Sequence, residues 1–93
     1  NKYNFILEDN KLEYFFRGLG IEYNILPKDN NLKDYIRKNK LDTKNLIFIQ
    51  DKKSKNEVKG IKAVKLEVYN DNKSFKEEIE YNINKLKELI KNK

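Results

Sequence analysis

The chain has 93 residues and carries 21 Lys and Arg against 15 Asp and Glu, a net charge of +6. A chain of this length supports a single domain, spanning residues 1–93, with one modest hydrophobic core. It contains no cysteine and no histidine, which excludes disulfides, thiol catalysis, zinc–thiolate clusters and histidine acid–base chemistry. Any catalysis must therefore use carboxylates, lysines or backbone groups.

The hydropathy of the chain favours a soluble, cytoplasmic protein with no membrane association. Its longest apolar run is the short stretch Leu46–Ile49, far below the roughly 18 residues that span a bilayer. The polar start, Asn1–Asn4, leads into a strand-like run and does not have the pattern of a signal peptide.

Apolar periodicity in the first third of the chain predicts a strand, a helix and a second strand. Tyr3–Leu7 is an apolar run ended by two acids, which is typical of a buried strand. Asn10 and Glu13 have the spacing of a capping box at the start of a helix. The apolar face of that helix, which Gly20 would end, is predicted to be Leu12, Phe15, Phe16 and Leu19. The alternation over Ile21–Ile25 predicts the next strand, which stops before Pro27.

The middle of the chain predicts a second helix and a third strand. Asp29, Asn30 or Asn31 can cap the helix, whose inner face would carry Leu32, Tyr35 and Ile36. The run Leu46–Gln50 is the clearest strand of the chain, and the polar segment Asp51–Lys59 after it reads as a loop.

The last third predicts a fourth strand and a long closing helix. In the strand, Ile61–Tyr69, alternation places Val64, Leu66 and Val68 inward and Lys65 and Glu67 outward. Ser74 and Glu77 form a second capping box. The inner face of the closing helix is predicted to be Phe75, Ile79, Ile83, Leu86 and Ile90, and its solvated face Glu77, Glu78, Glu80, Lys85, Lys87, Glu88 and Lys91.

The resulting order, βαβαβ–β–α, predicts a small three-layer α/β domain with a mostly parallel sheet of about four strands and three helices. The direction of the fourth strand stays open, because the loop before it is too short for a helix but long enough for an irregular crossover. The shared core is predicted to contain Phe15, Phe16, Leu19, Ile47, Ile49, Val64, Leu66 and Ile79.

Acidic residues follow three of the predicted strands. Glu8 and Asp9 follow the first strand, Asp29 the second and Asp51 the third. Because the carboxyl ends of parallel strands meet at one edge, we expect Asp9 and Asp51 to end neighbouring strands there. Converging carboxylates suit Mg²⁺ or Mn²⁺. The alternative is that Asp9 and Asp29 only cap helices and that Asp51 is an ordinary loop acid.

Basic residues concentrate between positions 37 and 65, with ten cations against three acids, a net charge of +7. Lysines in such a stretch can neutralise the phosphates of RNA. The candidate nucleic-acid-binding residues are Lys52, Lys53, Lys55, Lys59 and Lys62. The alternative is a solvated loop in a lysine-rich protein.

The stretch Phe5–Leu26, FILEDNKLEYFFRGLGIEYNIL, resembles the opening of small PIN-like proteins related to the Mut7-C and DUF5615 groups. Those proteins have a strand ending in Asp, a helix of the form L-x-x-x-L-R-x-L-G and a strand entered through Gly-hydrophobic-acid, which Leu12–Glu22 matches. Asp29–Ile36 is similar to their acid-led second helix, and Leu46–Asp51 to their strand ending in Thr-x-Asp. The resemblance covers nearly the whole chain in order.

This resemblance implies a ribonuclease fold and a PIN-like hydrolase that cuts RNA phosphodiesters with Mg²⁺ or Mn²⁺, of the kind found in some toxins. Its catalytic metal ligands would be Asp9, Asp29 and Asp51. Two positions depart from the family pattern, since Ile49 replaces the Thr and Lys53 replaces a second Asp. The Lys53 ammonium could occupy the place of the metal. The alternative is therefore a degenerate, non-catalytic PIN-like domain that binds nucleic acid or a protein, either another partner or a second copy.

A weaker resemblance is to response-regulator receiver domains. Glu8-Asp9-Asn10 is similar to their acidic pocket, and Asp51 to their phosphoacceptor at the end of the third strand. The chain is too short for the two further strand–helix units of that family, so this alternative implies a truncated receiver.

Overall fold

The computed structural model describes residues 3–68 and 74–91 of the chain. Its strands are β1 (Asn4–Leu7), β2 (Asn24–Ile25), β3 (Leu46–Asp51) and β4 (Lys62–Leu66). Its helices are α1 (Glu13–Leu19), α2 (Leu32–Lys38) and α3 (Phe75–Lys91). The predicted order of strands and helices is confirmed. No helix within the described ranges has the length and apolar character needed to cross a membrane.

The four strands form one sheet in the order β2-β1-β3-β4, and every pairing is parallel. β4 is thus parallel to β3, although no helix joins them. Val58 and Ile61 of the connecting segment pack against the apolar cluster of Leu32, Leu46 and Phe48. This irregular crossover covers the sheet as a helix would, and the small parallel α/β fold is confirmed.

Alternation along the strands divides the core between the two faces of the sheet. On one face, Leu7 and Ile49 belong to a cluster with Phe16 of α1 and Leu86 of α3. On the other face, Ile6, Leu46 and Phe48 pack with Leu32 of α2. Helices therefore cover both faces, which is the predicted three-layer arrangement.

The predicted capping box of Asn10 and Glu13 is wrong. A 3-10 turn, Asn10–Leu12, precedes α1, and its cap is Asp9, whose carboxylate accepts the Lys11 N–H at 2.8 Å. The Glu13 carboxylate bonds the guanidinium of Arg17 and the hydroxyl of Tyr23 instead. Because the side chain one residue earlier already caps the turn, the chain enters α1 a turn later than the spacing suggests.

The other two predicted caps are confirmed. Asn31 caps α2, accepting the Asp34 N–H at 2.8 Å. Before α3, Ser74 and Glu77 exchange reciprocal bonds, with Glu77 accepting the Ser74 N–H at 3.1 Å and the Ser74 hydroxyl accepting the Glu77 N–H at 3.2 Å. Both devices use contacts three residues apart, so they depend on the local sequence, although for α2 the sequence left three candidate residues.

Two strands are shorter than predicted. β2 pairs with β1 only through Asn24 and Ile25, so the alternating residues before them lie outside the sheet. The predicted fourth strand extended to Tyr69, which lies outside the described residues, whereas β4 ends at Leu66. Glu67, predicted to face outward, is buried, because the strand pairing has ended and alternation no longer decides its direction.

Most of the predicted core is confirmed. Phe15, Phe16, Ile47, Ile49 and Leu66 are buried, and Val64 and Ile79 pack half-buried against them.

Three helix residues do not follow the prediction. Leu19, the last residue of α1, is 43% exposed, and Phe75, the first of α3, is 61% exposed. Both lie at helix ends, where the periodic face continues past the part of the helix that is packed. Glu78, predicted to be solvated, is buried and accepts a hydrogen bond from the Tyr14 hydroxyl. The side chain of Ile90 lies outside the described residues.

Candidate functional site

The segments that follow β1 and β2 border a cavity of about 1030 Å³, together with Phe48 of β3 and the crossover before β4. The chain passes from β1 to β2 on one side and from β2 to β3 on the other, so the carboxyl edge of the sheet includes the point where the strand order reverses. Ligands of parallel sheets bind at such a point. Charged residues of both signs line the cavity, namely Glu8, Asp9, Asp29, Asp34 and Glu57 with Lys28, Lys33, Arg37 and Lys59.

Two of the three predicted metal ligands, Asp9 and Asp29, line this cavity, and Asp51 does not. The ends of β1 and β3 are neighbours, as predicted for Asp9 and Asp51. Asp51, however, is the last residue of β3 and directly follows Gln50, which bonds residues on the cavity side. Successive side chains of a strand point to opposite faces, so Asp51 is directed away from Gln50.

The described residues contain no group of three or more acidic side chains that could hold a metal ion. Two of the predicted ligands act as acceptors in turns, since Asp9 accepts the Lys11 N–H and Asp51 accepts the Lys53 N–H at 3.1 Å. This arrangement does not fit a three-carboxylate centre, and Mg²⁺ or Mn²⁺ binding stays a prediction.

A hydrogen-bond network that sequence reasoning missed ties the crossover to the carboxyl edge. Gln50 is only 2% exposed, and its amide nitrogen donates to the Asn56 carbonyl at 2.9 Å. The same nitrogen lies 3.4 Å from the Glu8 carboxylate and 3.4 Å from the Ser54 hydroxyl, and the Asn56 amide donates to Glu8 at 2.7 Å. The one available signal was a glutamine directly after four apolar residues.

The five candidate nucleic-acid-binding lysines are all exposed, but they occupy more than one surface. Lys59 lines the cavity at the carboxyl edge. Lys52 and Lys62 line a separate groove of about 380 Å³ between β4 and α3. We call this second site the Tyr81 groove. Its lining comprises Lys52, Lys62, Ala63, Val64, Lys65, Tyr81, Lys85, Glu88 and Leu89.

Two ammonium groups lie beside the aromatic ring of the Tyr81 groove. The Nζ of Lys52 is 5.3 Å from the centroid of the Tyr81 ring, and that of Lys85 is 5.6 Å away, both within cation–π range. Lys52 also bonds the buried Glu67 carboxylate at 3.2 Å. That hydrogen bond holds the pKa of Lys52 above its usual range, and the Tyr81 phenol adds to the effect. Lys52 is therefore a cation at neutral pH.

A buried asparagine holds the wall of this groove in place. The Asn82 side chain accepts the Glu67 N–H at 2.8 Å and donates to the Glu67 carbonyl at 2.9 Å. One amide thus satisfies both backbone groups of the residue that follows β4. Because Asn82 adjoins Tyr81 on α3, this pair of bonds joins the part of the helix that carries Tyr81 to the residue after β4.

We compared the chain with models of protein families, with curated proteins and with solved structures, and none of the three comparisons finds a match. The PIN-like resemblance therefore stays a prediction.

Proposed function

We propose that the protein is a nucleic-acid-binding domain that holds RNA through its crossover segment and its last strand without cutting it. One observation carries this proposal: all six lysines between residues 52 and 65 are exposed, and Glu57 is the only acid among them. A surface of this kind attracts a polyanion and neutralises its phosphates.

Lysines at the edge of a sheet have a second physical explanation, since they keep edge strands of different molecules from pairing. That explanation suits Lys62 and Lys65, which belong to β4. It does not account for Lys53, Lys55 and Lys59, which lie in the crossover segment and have no strand to protect. The three crossover lysines therefore favour a role in RNA binding, and their substitution tests the proposal.

The triple variant Lys53→Gln, Lys55→Gln, Lys59→Gln is expected to bind RNA at least tenfold more weakly at low salt. Each phosphate contact on a single strand contributes about 0.7 to the slope of log affinity against log salt, so the slope should fall by about 2. Fluorescence anisotropy with a labelled single-stranded oligonucleotide, between roughly 50 and 200 mM salt, measures both quantities.

The matched control removes the same charge elsewhere. Lys11, Lys38 and Lys87 are exposed and lie outside the crossover and both cavities, so their replacement by glutamine should leave the affinity within about twofold at moderate salt. An equal loss of affinity in both triple variants would mean that only net charge matters. A wild-type protein that binds no RNA at low salt would refute the proposal.

A second candidate function is the metal-dependent ribonuclease that the PIN-like resemblance implies. The observation in its favour is that Glu8, Asp9 and Asp29 line one cavity at the carboxyl edge of the sheet. Lys59 and Arg37 line the same cavity and could receive phosphates.

If this candidate is correct, calorimetric titration should detect Mn²⁺ binding that Asp29→Asn abolishes. Asp51→Asn is the matched control, because Asp51 does not line the cavity, and it should leave the affinity unchanged. Loss of Mn²⁺ binding in both variants would show that Asp51 also belongs to the metal site. Absence of binding in the wild-type protein would exclude the metal-dependent function.

A further inference from the structure

The Tyr81 groove combines an aromatic ring, apolar walls and cations in a space suited to one small planar group. Tyr81, Lys85 and Glu88 recur along one stripe of α3, at the spacing that places side chains on the same helix face. Across the groove lie Lys62 and Val64 of β4. Its volume of about 380 Å³ is near the lower limit of cavities that bind small ligands.

We propose that the Tyr81 groove binds one unstacked base of a single-stranded RNA, with the adjoining phosphates on Lys62 and Lys85. This inference rests on the proposed RNA-binding function. It adds that the protein selects single-stranded RNA over a duplex. Aromatic side chains that accept a base by stacking, beside cations that follow the backbone, are the usual means of binding single strands.

The lysines of the groove differ in their freedom to meet a phosphate. Lys52 is held by Glu67 at 3.2 Å. Lys62 and Lys85 form no salt bridge within residues 3–68 and 74–91. The Lys85 ammonium can therefore leave the Tyr81 ring for a phosphate without losing a carboxylate partner, while Lys52 stays beside the ring.

The aromatic ring in the groove favours a single strand over two other polyanions, an RNA duplex and an acidic peptide. In a duplex the bases are stacked inside the helix, so none can enter a groove lined by Tyr81, Val64 and Leu89. An acidic peptide would satisfy the lysines but would make no use of the Tyr81 ring. A single-stranded nucleic acid uses both features.

The decisive experiment compares two single-stranded oligonucleotides of equal length, one with bases and one fully abasic. Wild-type protein is expected to bind the base-bearing oligonucleotide about tenfold more tightly. Tyr81→Leu should abolish this preference and leave the affinity for the abasic strand unchanged. Tyr81→Phe, which keeps the ring, should retain it. Tyr35→Leu, a change of a half-buried tyrosine on α2, is the matched control and should also retain it.

The outcomes separate this inference from the function on which it rests. Salt-dependent binding with no preference for bases would overturn the inference and leave the function standing, whereas no binding to either strand would refute both. Equal affinity for duplex RNA, or tighter binding of polyglutamate, would also overturn the inference. Circular dichroism melting checks that the variants fold. Should Tyr81→Leu fail to fold, Lys85→Gln is expected to lower the salt slope by about 0.7 for both strands, and an unchanged slope would count against the phosphate contact.

Discussion

Replacing Phe16 by alanine is expected to lower the free energy of unfolding by about 3–5 kcal/mol. Phe16 has no exposed surface. The centroid of its ring lies 5.4 Å from that of Phe5, 5.7 Å from that of Phe15 and 6.0 Å from that of Tyr23. These ring contacts join β1, α1 and the segment before β2, so a cavity here removes contacts from all three.

The loss would be a large share of the stability of a small domain, which is roughly 5–15 kcal/mol in total. The melting temperature should therefore fall by about 12 °C or more. Thermal and urea unfolding measure the change. Phe75→Ala is the matched control, because Phe75 is 61% exposed, and it should cost less than about 1 kcal/mol. Equal losses in the two variants would show that α1 does not pack on the sheet as described.

Asn82→Ala is expected to lower the free energy of unfolding by about 2–4 kcal/mol. Its side chain is fully buried and makes two hydrogen bonds to the backbone of Glu67. Alanine removes both bonds and leaves a buried N–H and a buried carbonyl without that partner, and such a loss costs more than the net worth of the bonds.

Asn84→Ala makes the same chemical change two residues later on α3, at an exposed position. Because alanine has the higher helix propensity, this control should be neutral or slightly stabilising. Urea unfolding of both variants gives the comparison. A loss below about 0.5 kcal/mol in Asn82→Ala would contradict the buried bonds between α3 and the residue after β4.

The two candidate surfaces would respond differently to the Asn82 variant. The cavity at the carboxyl edge is lined by Phe48 of β3, by α2, and by the segments after β1, after β2 and before β4, and it should keep its form in the folded fraction. The Tyr81 groove has α3 as one wall. Since Asn82→Ala removes the bonds that hold α3 to the residue after β4, the preference for base-bearing strands should weaken in this variant. Binding by the crossover lysines should persist.

Local patterns predicted those features that depend on nearby residues. The apolar run Leu46–Gln50 is buried on both faces of the sheet and is recognisable without knowledge of its neighbours. The cap at Asn31 and the box of Ser74 and Glu77 are formed within three residues. Asp9 and Asn10, in contrast, are adjacent residues of equal capping ability, and the path of the backbone out of β1 selects Asp9.

The predicted metal site shows why strand ends are difficult to use. That β1 and β3 end side by side follows from the order of the elements, and the structure agrees. Which way a carboxylate points depends on how far the strand continues, because a shift of one residue reverses the face. β3 continues to Asp51, so Gln50 takes the position beside Glu8 and the cavity.

What the sequence alone determined about this protein is its class and its charge: a small parallel α/β domain, with a lysine-rich segment after its third strand. These follow from periodicity and composition, which are properties of neighbouring residues. Only the tertiary structure decided that Lys59 lines the cavity, that Lys52 and Lys62 line the Tyr81 groove, and which side chains accompany them. Tyr81 joins Lys52 because α3 packs on β4, and such contacts between distant residues arise from packing geometry, which no local pattern contains.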